Sequence, residues 1–312
     1  MNIAITGGSG FVGKHLCNYL SSTNNIRQIK IWKADNSFKI KSINHISDYS
    51  NILDGIDVVI HCASIVHEPR NDSSNSWLKY KSINIDATTF LANEAEKNGV
   101  KRLIFISTVK VNGDITKANR PFHNDSEPNP GPKDFYALSK YVAEKELLKI
   151  SNKSNLEIVI IRPPLIYGPG VKANFLNLLK IVKYGLPLPF SSNKSKRSFI
   201  FIGNLVDFID KCTSYPEISG KTFLISDSES LGIKELITKI SFLMKKKHIF
   251  FYFPSFLLIK IASLIGLNKQ VERLTTSLEI DPYDSYSKLK WTPPFSIDNG
   301  LKKTIDWFIS SK

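Results

Sequence analysis

Met1-Asn2-Ile3-Ala4-Ile5-Thr6-Gly7-Gly8-Ser9-Gly10-Phe11-Val12-Gly13 opens the chain, and the rest of the sequence is read outward from it. Ile3, Ala4 and Ile5 form a short apolar run, the pattern of a strand buried on both faces. Gly7, Gly10 and Gly13 follow at three-residue spacing, and Phe11, Val12, Leu16 and Leu20 then recur at helical spacing. The order is strand, glycine turn, helix. Gly7 permits the tight turn, Gly10 lets a ligand approach the backbone, and Gly13 lets helix and strand pack closely. The first-turn N–H groups, those of Phe11 and Val12 among them, then face a pyrophosphate that the helix dipole favours. A dinucleotide site is therefore expected at the start of the chain.

The 312 residues suffice for one large or two modest domains, and 42% hydrophobic with 22% charged residues is ordinary for a globular protein. The chain begins directly on a strand, without a basic leader and apolar core, so export is not expected. Cys17, Cys62 and Cys212 are too scattered for a disulfide scaffold or a zinc site, which fits a reducing cytoplasm. The formal charge of +14 raises nucleic acid as a partner. Lysine is dispersed along the chain, however, and Lys245-Lys246-Lys247 is the single run. Nucleic acid is not expected, and anionic small molecules gain more from this field.

Downstream of the glycine helix, Ile29-Lys30-Ile31-Trp32 reads as the second strand, with Lys33 and Asp35 just beyond it. An acid there would bond a ribose 2′-hydroxyl, and a lysine would suit a 2′-phosphate, so NAD and NADP both stay open. Asp57–Ala63 is a further strand leading into Ser64; the small residues Cys62, Ala63 and Ser64 would let a cofactor lie across its end. His61 reads as a packed strand residue. Residues 76–98 read as one long helix in which Asn84 stands among Ile83, Ile85, Phe90 and Leu91, a polar group in need of a partner. The choices are a surface turn or a bond to backbone or water near the cofactor.

The strand Lys101–Thr108 ends in two hydroxyls, Ser107 and Thr108, at the carboxyl edge where open α/β sheets place their sites. Further on, Tyr136-Ala137-Leu138-Ser139-Lys140 begins a helix and sets Tyr136 and Lys140 four residues apart on one face. A free tyrosine has a pKa of roughly 10, too high for a base at neutral pH. A nearby ammonium, or an oxidised nicotinamide, favours the phenolate. With Thr108 holding a substrate hydroxyl beside Tyr136, proton transfer coupled to hydride transfer oxidises an alcohol.

These motifs, in this order, resemble those of the extended short-chain dehydrogenases/reductases of the NAD-dependent epimerase/dehydratase family, and the resemblance covers nearly the whole chain. Thr6–Gly13 is similar to the family's glycine motif, and Thr108, Tyr136 and Lys140 fall on its catalytic Ser/Thr, Tyr and Lys. Arg162-Pro163-Pro164-Leu165-Ile166-Tyr167-Gly168-Pro169-Gly170 matches the segment that passes the nicotinamide, with Pro163 against the cofactor. Val109–Gly113 and Gly170–Phe175 resemble bacterial UDP-sugar 4-epimerase-like proteins of surface-polysaccharide pathways such as O-antigen synthesis. Asn174 matches a diphosphate-binding position, Arg197 a phosphate-binding arginine, and Arg273 a second one at imperfect spacing. Asn204 replaces the family's usual aspartate.

The resemblance implies an α/β protein with a Rossmann-type doubly wound parallel sheet and a smaller α/β substrate domain. Residues 1–170 would form the dinucleotide-binding part, with a returning segment near 198–212, and residues 171–312 would mainly bind substrate. The implied activity is an NAD(P)-dependent step at C4 of a UDP-hexose or UDP-N-acetylhexosamine, by a 4-epimerase or, alternatively, a 4-ketoreductase of a 4-keto-6-deoxy-N-acetylhexosamine nucleotide. Val109 and Lys110, without an acid, argue against a dehydratase. A non-catalytic NAD(P)-binding protein on the same fold is the rival that Tyr136 and Lys140 argue against; Arg197 and Asn174 argue against a steroid or flavonoid substrate. The resemblance tilts the cofactor toward NAD and leaves a homodimer open. The apolar window Ile249–Leu267 carries Lys260 and is broken by Pro254, and the stretch after that proline is short of the roughly 20 residues of a spanning helix. It reads as a buried or interfacial helix, with peripheral membrane contact as the alternative.

Overall fold

The computed structural model describes residues 1–29, 50–66, 73–117, 119–189, 194–247, 249–254, 260 and 275–311. Lys33, Asp35, His67, Arg273 and most of the window 249–267 lie outside them.

Strands β1 (Asn2–Thr6), β2 (Asn25–Ile29), β3 (Val58–His61), β4 (Arg102–Ile106), β5 (Glu157–Arg162) and, later in the chain, β8 (Lys221–Leu224) form one parallel sheet in the order β2-β1-β3-β4-β5-β8. Its central strands are buried along almost their whole length and mostly apolar, because helices cover both faces. Alternation divides them: Ile3, Ile5, Ile60, Ile104 and Ile161 enter one core, and Ala4, Val59, Leu103, Phe105 and Ile160 enter the other. Helix Phe11–Leu20 packs with helix Ile202–Ser214 on the first side. Helices Ala87–Lys97 and Phe135–Ser151 cover the second.

The described part of the second strand, Asn25–Ile29, begins earlier than the sequence suggested, and of the expected Ile29–Trp32 only Ile29 is described. As an edge strand with Asn25, Arg27 and Gln28 exposed, it needs no apolar run. The expected helix over 76–98 forms with a distortion: α-helix Ser73–Tyr80 passes through a π turn, Lys81–Asp86, into α-helix Ala87–Lys97. Such turns often sit at functional sites, and this one holds Asn84.

Beyond β5, a three-stranded sheet is built from β6 (Leu165–Tyr167), β7 (Lys196–Phe201) and β9 (Ser230–Gly232); β6 and β7 are parallel, β7 and β9 antiparallel. The first core runs without a break into this sheet through Tyr167, Phe199 and Phe201. A buried polar knot fastens the junction. The Asp227 carboxylate accepts from the Tyr167 hydroxyl at 2.8 Å, the Phe201 amide at 3.1 Å and Asn204 Nδ2 at 2.7 Å. Asn204 also pairs with the Phe295 backbone in both directions. An aspartate at 204 would set a second carboxylate against Asp227 and lose that donor, so the departure at 204 suits its partner at 227.

Candidate active site

The site lies where strand order reverses. From β1 the chain leaves to β2 on one side and resumes at β3 on the other, so the carboxyl ends of β1 and β3 open a crevice. The glycine turn fills one wall. Gly7 has φ +70°, and a Cβ there would stand 2.8 Å from the Ala63 amide nitrogen. Cys62 and Ala63 thus face the turn, with the Ala63 amide donating to Thr6 Oγ1 at 3.3 Å. A Cβ on Gly13 would meet the Gly7 carbonyl oxygen at 2.2 Å, whereas a Cβ on Gly10 would meet that same oxygen at 3.1 Å. Helix Phe11–Leu20 begins at Gly10 with no side chain capping it, so its first-turn amides remain donors for an anion. This donor set and close backbone approach fit a dinucleotide pyrophosphate.

Gly13→Ala is expected to lower stability by about 1–3 kcal/mol or more, because both clashing partners are backbone and neither can turn away. Thermal unfolding should show the drop, and dinucleotide titration a parallel loss of affinity. An unaltered melting temperature would mean that helix and strand are looser here than described.

Behind the crevice runs a chain of polar contacts. His61 is buried, and its two ring nitrogens lie 2.6 Å from Thr6 Oγ1 and 2.9 Å from Thr88 Oγ1. Burial, then the nearby Lys140 charge, pushes its pKa down to about 3, so the ring is neutral. It is a packed strand residue, as the sequence suggested. Thr88 donates to the Asn84 carbonyl at 2.8 Å. Asn84 is buried inside the π turn. Its side chain accepts from the Ile65 amide at 2.9 Å and donates to the Ile65 carbonyl at 3.0 Å and Ser139 Oγ at 2.9 Å. Ser139 in turn donates to the Tyr136 carbonyl at 2.8 Å. Asn84 therefore ties the segment after β3 to the helix that carries Tyr136.

That helix, Phe135–Ser151, is capped by Asp134, whose carboxylate accepts from the Ala137 amide at 3.1 Å. Lys110 forms an ion pair with the same carboxylate and so pins the helix start to the segment after β4. Thr108 caps the short 3₁₀ turn Val109–Val111, and its hydroxyl lies close enough to the Tyr136 phenol to favour the phenolate. The Val109 amide donates to the Pro163 carbonyl at 3.0 Å, which closes the edge against β5. Thr108 and Tyr136 are thereby brought together beside Ser107 and Pro163, with Lys140 one turn further along the Tyr136 helix.

The electrostatics follow from burial. Tyr136 lies well above its ordinary pKa through burial and the Asp134 carboxylate, with the Thr108 hydroxyl opposing them. Lys140 is fully buried, its Nζ 3.9 Å from the centre of the Phe105 ring. Burial pulls its ammonium down to about 7, against the opposing pull of Glu144. Glu144, one turn after Lys140, is itself buried; it accepts from Ser107 Oγ and pairs with Arg162, whose Nε lies 3.0 Å from it. Arg162 Nη1 reaches Asn112 Oδ1 at 3.1 Å. Glu144 and Asp134 were not singled out in the sequence, although an acid four residues after Lys140 and an acid at the helix start are both readable signals.

Asn174 and Arg197, expected on the substrate side, lie on the smaller sheet and the helix beside it. Asn174 is exposed in the first turn of helix Ala173–Lys183, after Gly170 with φ +86° and Ala173 with φ +53°. Arg197 is half-buried on β7, its Nη1 donating to the Thr276 carbonyl at 3.1 Å.

Residues 3–225 match the profile of the NAD dependent epimerase/dehydratase family. Among curated proteins, a UDP-glucose 4-epimerase of Vibrio cholerae is 36% identical over 99% of this chain and 96% of its own. An N-acetyl-alpha-D-glucosaminyl-diphospho-ditrans,octacis-undecaprenol 4-epimerase of Escherichia coli O157:H7 is 28% identical over 100% of this chain and 96% of its own. Among solved structures, a UDP-glucuronic acid 4-epimerase of Bacillus cereus in complex with NAD superposes with a TM-score of 0.77 at 21% identity, covering 100% of this chain and 99% of that one. The last likeness speaks for the fold.

Proposed function

The chain belongs to the NAD dependent epimerase/dehydratase family, and from that premise we propose that it is an NAD-dependent 4-epimerase of a UDP-hexose or UDP-N-acetylhexosamine. The observation that carries this reading is the convergence of Thr108, Tyr136 and Lys140 beside a glycine turn that admits a dinucleotide. The full-length likeness to the Vibrio cholerae protein supports it.

Bound NAD supplies the hydride acceptor and donor and a positive ring. The chain's own groups handle the proton. Tyr136 Oη takes the proton of the C4 hydroxyl and later returns it on the other face of the sugar. Thr108 Oγ1 fixes the hydroxyl at Tyr136. Lys140 on Phe105 supports the phenolate from behind, and Glu144 with Arg162 keeps Lys140 in place. Phe11 and Val12 amides hold the pyrophosphate, with Gly7 and Gly10 admitting it; Cys62, Ala63, Ser64, Asn84, Ser107 and Pro163 shape the wall. Asn174 and Arg197 bind the substrate diphosphate, the latter as a bidentate guanidinium.

The test is to incubate the purified protein with candidate UDP-sugars and follow C4 configuration by NMR. Interconversion without added reductant supports the epimerase. Turnover only with stoichiometric NADH or NADPH, on a 4-keto sugar nucleotide, would make it the 4-ketoreductase instead. Arg197→Ala is expected to raise KM for the UDP-sugar and leave NAD affinity unaltered, since a lost Arg–phosphate contact costs about 1.5–3 kcal/mol. Calorimetry with UDP reads this directly, and unweakened UDP binding would remove Arg197 from the diphosphate site.

A further inference from the structure

Among the described residues, fourteen large hydrophobic side chains are exposed, and six of them crowd into two short segments of the smaller part of the protein. Tyr184 (75% exposed) and Leu186 (51%) follow helix Ala173–Lys183; Phe242 (79%), Ile249 (64%), Phe251 (43%) and Tyr252 (70%) lie at and beyond the end of helix Ile233–Leu243. Scattered singly, such residues need no explanation; gathered, they mark a contact surface.

The two segments are joined in space. The Leu188 amide donates to the Ile249 carbonyl at 3.0 Å, and the Phe251 amide to the Leu188 carbonyl at 3.1 Å. A Cβ on Gly185 would lie 3.7 Å from the Lys247 carbonyl oxygen. The same segments hold Lys180, Lys183, Lys245, Lys246 and Lys247, and neither 180–189 nor 241–254 contains an aspartate or glutamate. Lys180 and Lys245–Lys247 are exposed.

We propose that this face, aromatic and aliphatic side chains amid lysines, docks the protein peripherally on an anionic phospholipid surface. Tyr and Phe suit the headgroup boundary, while lysines bury their stems and keep their ammonium groups at the phosphates. Polybasic segments gain from the negative surface potential of anionic lipid. A second copy of this chain is a poorer occupant: a two-fold contact through this face would bring lysines against lysines with no acid to answer them. No helix among the described residues is long and apolar enough to cross a membrane, so the contact lies in the interface plane.

The experiment is sedimentation of the full chain with phosphatidylcholine vesicles, with and without phosphatidylglycerol, at low and high salt. Two variants accompany it: K245Q/K246Q/K247Q, and F242S/Y252S. All five positions are exposed, so both variants should fold, melt and bind NAD like the parent. The parent should pellet with phosphatidylglycerol vesicles and be partly released by salt. The lysine variant should partition roughly tenfold or more weakly, and the aromatic variant should lose what binding survives high salt. Partition equal among the three proteins, or no partition at all, would overturn the proposal. So would light scattering in which the aromatic variant alone becomes a smaller particle, which would make the face a self-association surface, or a poly(dT) oligonucleotide that binds more tightly than the vesicles.

Discussion

Tyr136→Phe is expected to give a folded protein that binds NAD and turns over on the order of 10²–10⁴-fold more slowly than the parent, the effect of a lost acid–base group. The size of the loss depends on the helix staying where it is, and the contacts that hold it do not use the phenol. Asp134 caps it through the Ala137 amide, Ser139 bonds the Tyr136 carbonyl, and Asn84 holds Ser139. Thr108 keeps its bond from the Lys110 amide. The substitution therefore removes one oxygen from a fixed constellation. NAD affinity, read by tryptophan fluorescence, and KM for the UDP-sugar should move little while kcat falls. Near-normal kcat on the true substrate would remove Tyr136 from the proton transfer.

Much of this arrangement was legible because its parts are local. The glycine turn, the apolar run of β1 and the four-residue spacing of Tyr136 and Lys140 are short-range patterns, and each has its expected place in the fold. What escaped is what meets across the chain. Arg162 joins Glu144 over eighteen positions and Asn112 over fifty, and Lys110 reaches Asp134 over twenty-four. No periodicity encodes such pairs. Asn204 replaces the family's usual aspartate, and its reason lies at Asp227, on another element. The second strand was sought in the apolar Ile29–Trp32, whereas an edge strand pairs through its backbone and tolerates Asn25, Arg27 and Gln28. Asn84 stood out as a polar group in need of a partner, but the π turn that aims it leaves no signature in residue type.

Lys140 shows how much of the site works against stability. Its ammonium is buried on Phe105 with a pKa of about 7 in place of the ordinary 10.5, so folding disfavours its protonated form. The sign follows by linkage. Below about pH 7 both the folded and unfolded chains carry the proton, and the folded chain bears the whole cost of burying it. Between about 7 and 10.5 the unfolded chain keeps the proton and the folded chain sheds it, so this group makes stability rise with pH across that window. Lys140→Met keeps the apolar stem and removes the charge. Glu144 does not become an orphan, because Arg162 and Ser107 still hold it. The variant is therefore expected to melt several degrees higher than the parent at pH 6, at about 2–4 °C per kcal/mol for a chain of this class. That advantage should shrink as the pH approaches 10. Turnover should fall on the order of 10²-fold or more, since the phenolate of Tyr136 loses its support. Melting curves from pH 6 to 10 and kcat at each pH test both halves. Parallel stability curves for the two proteins would show that Lys140 holds its proton throughout, and that its charge is offset inside the fold instead of being paid for in stability.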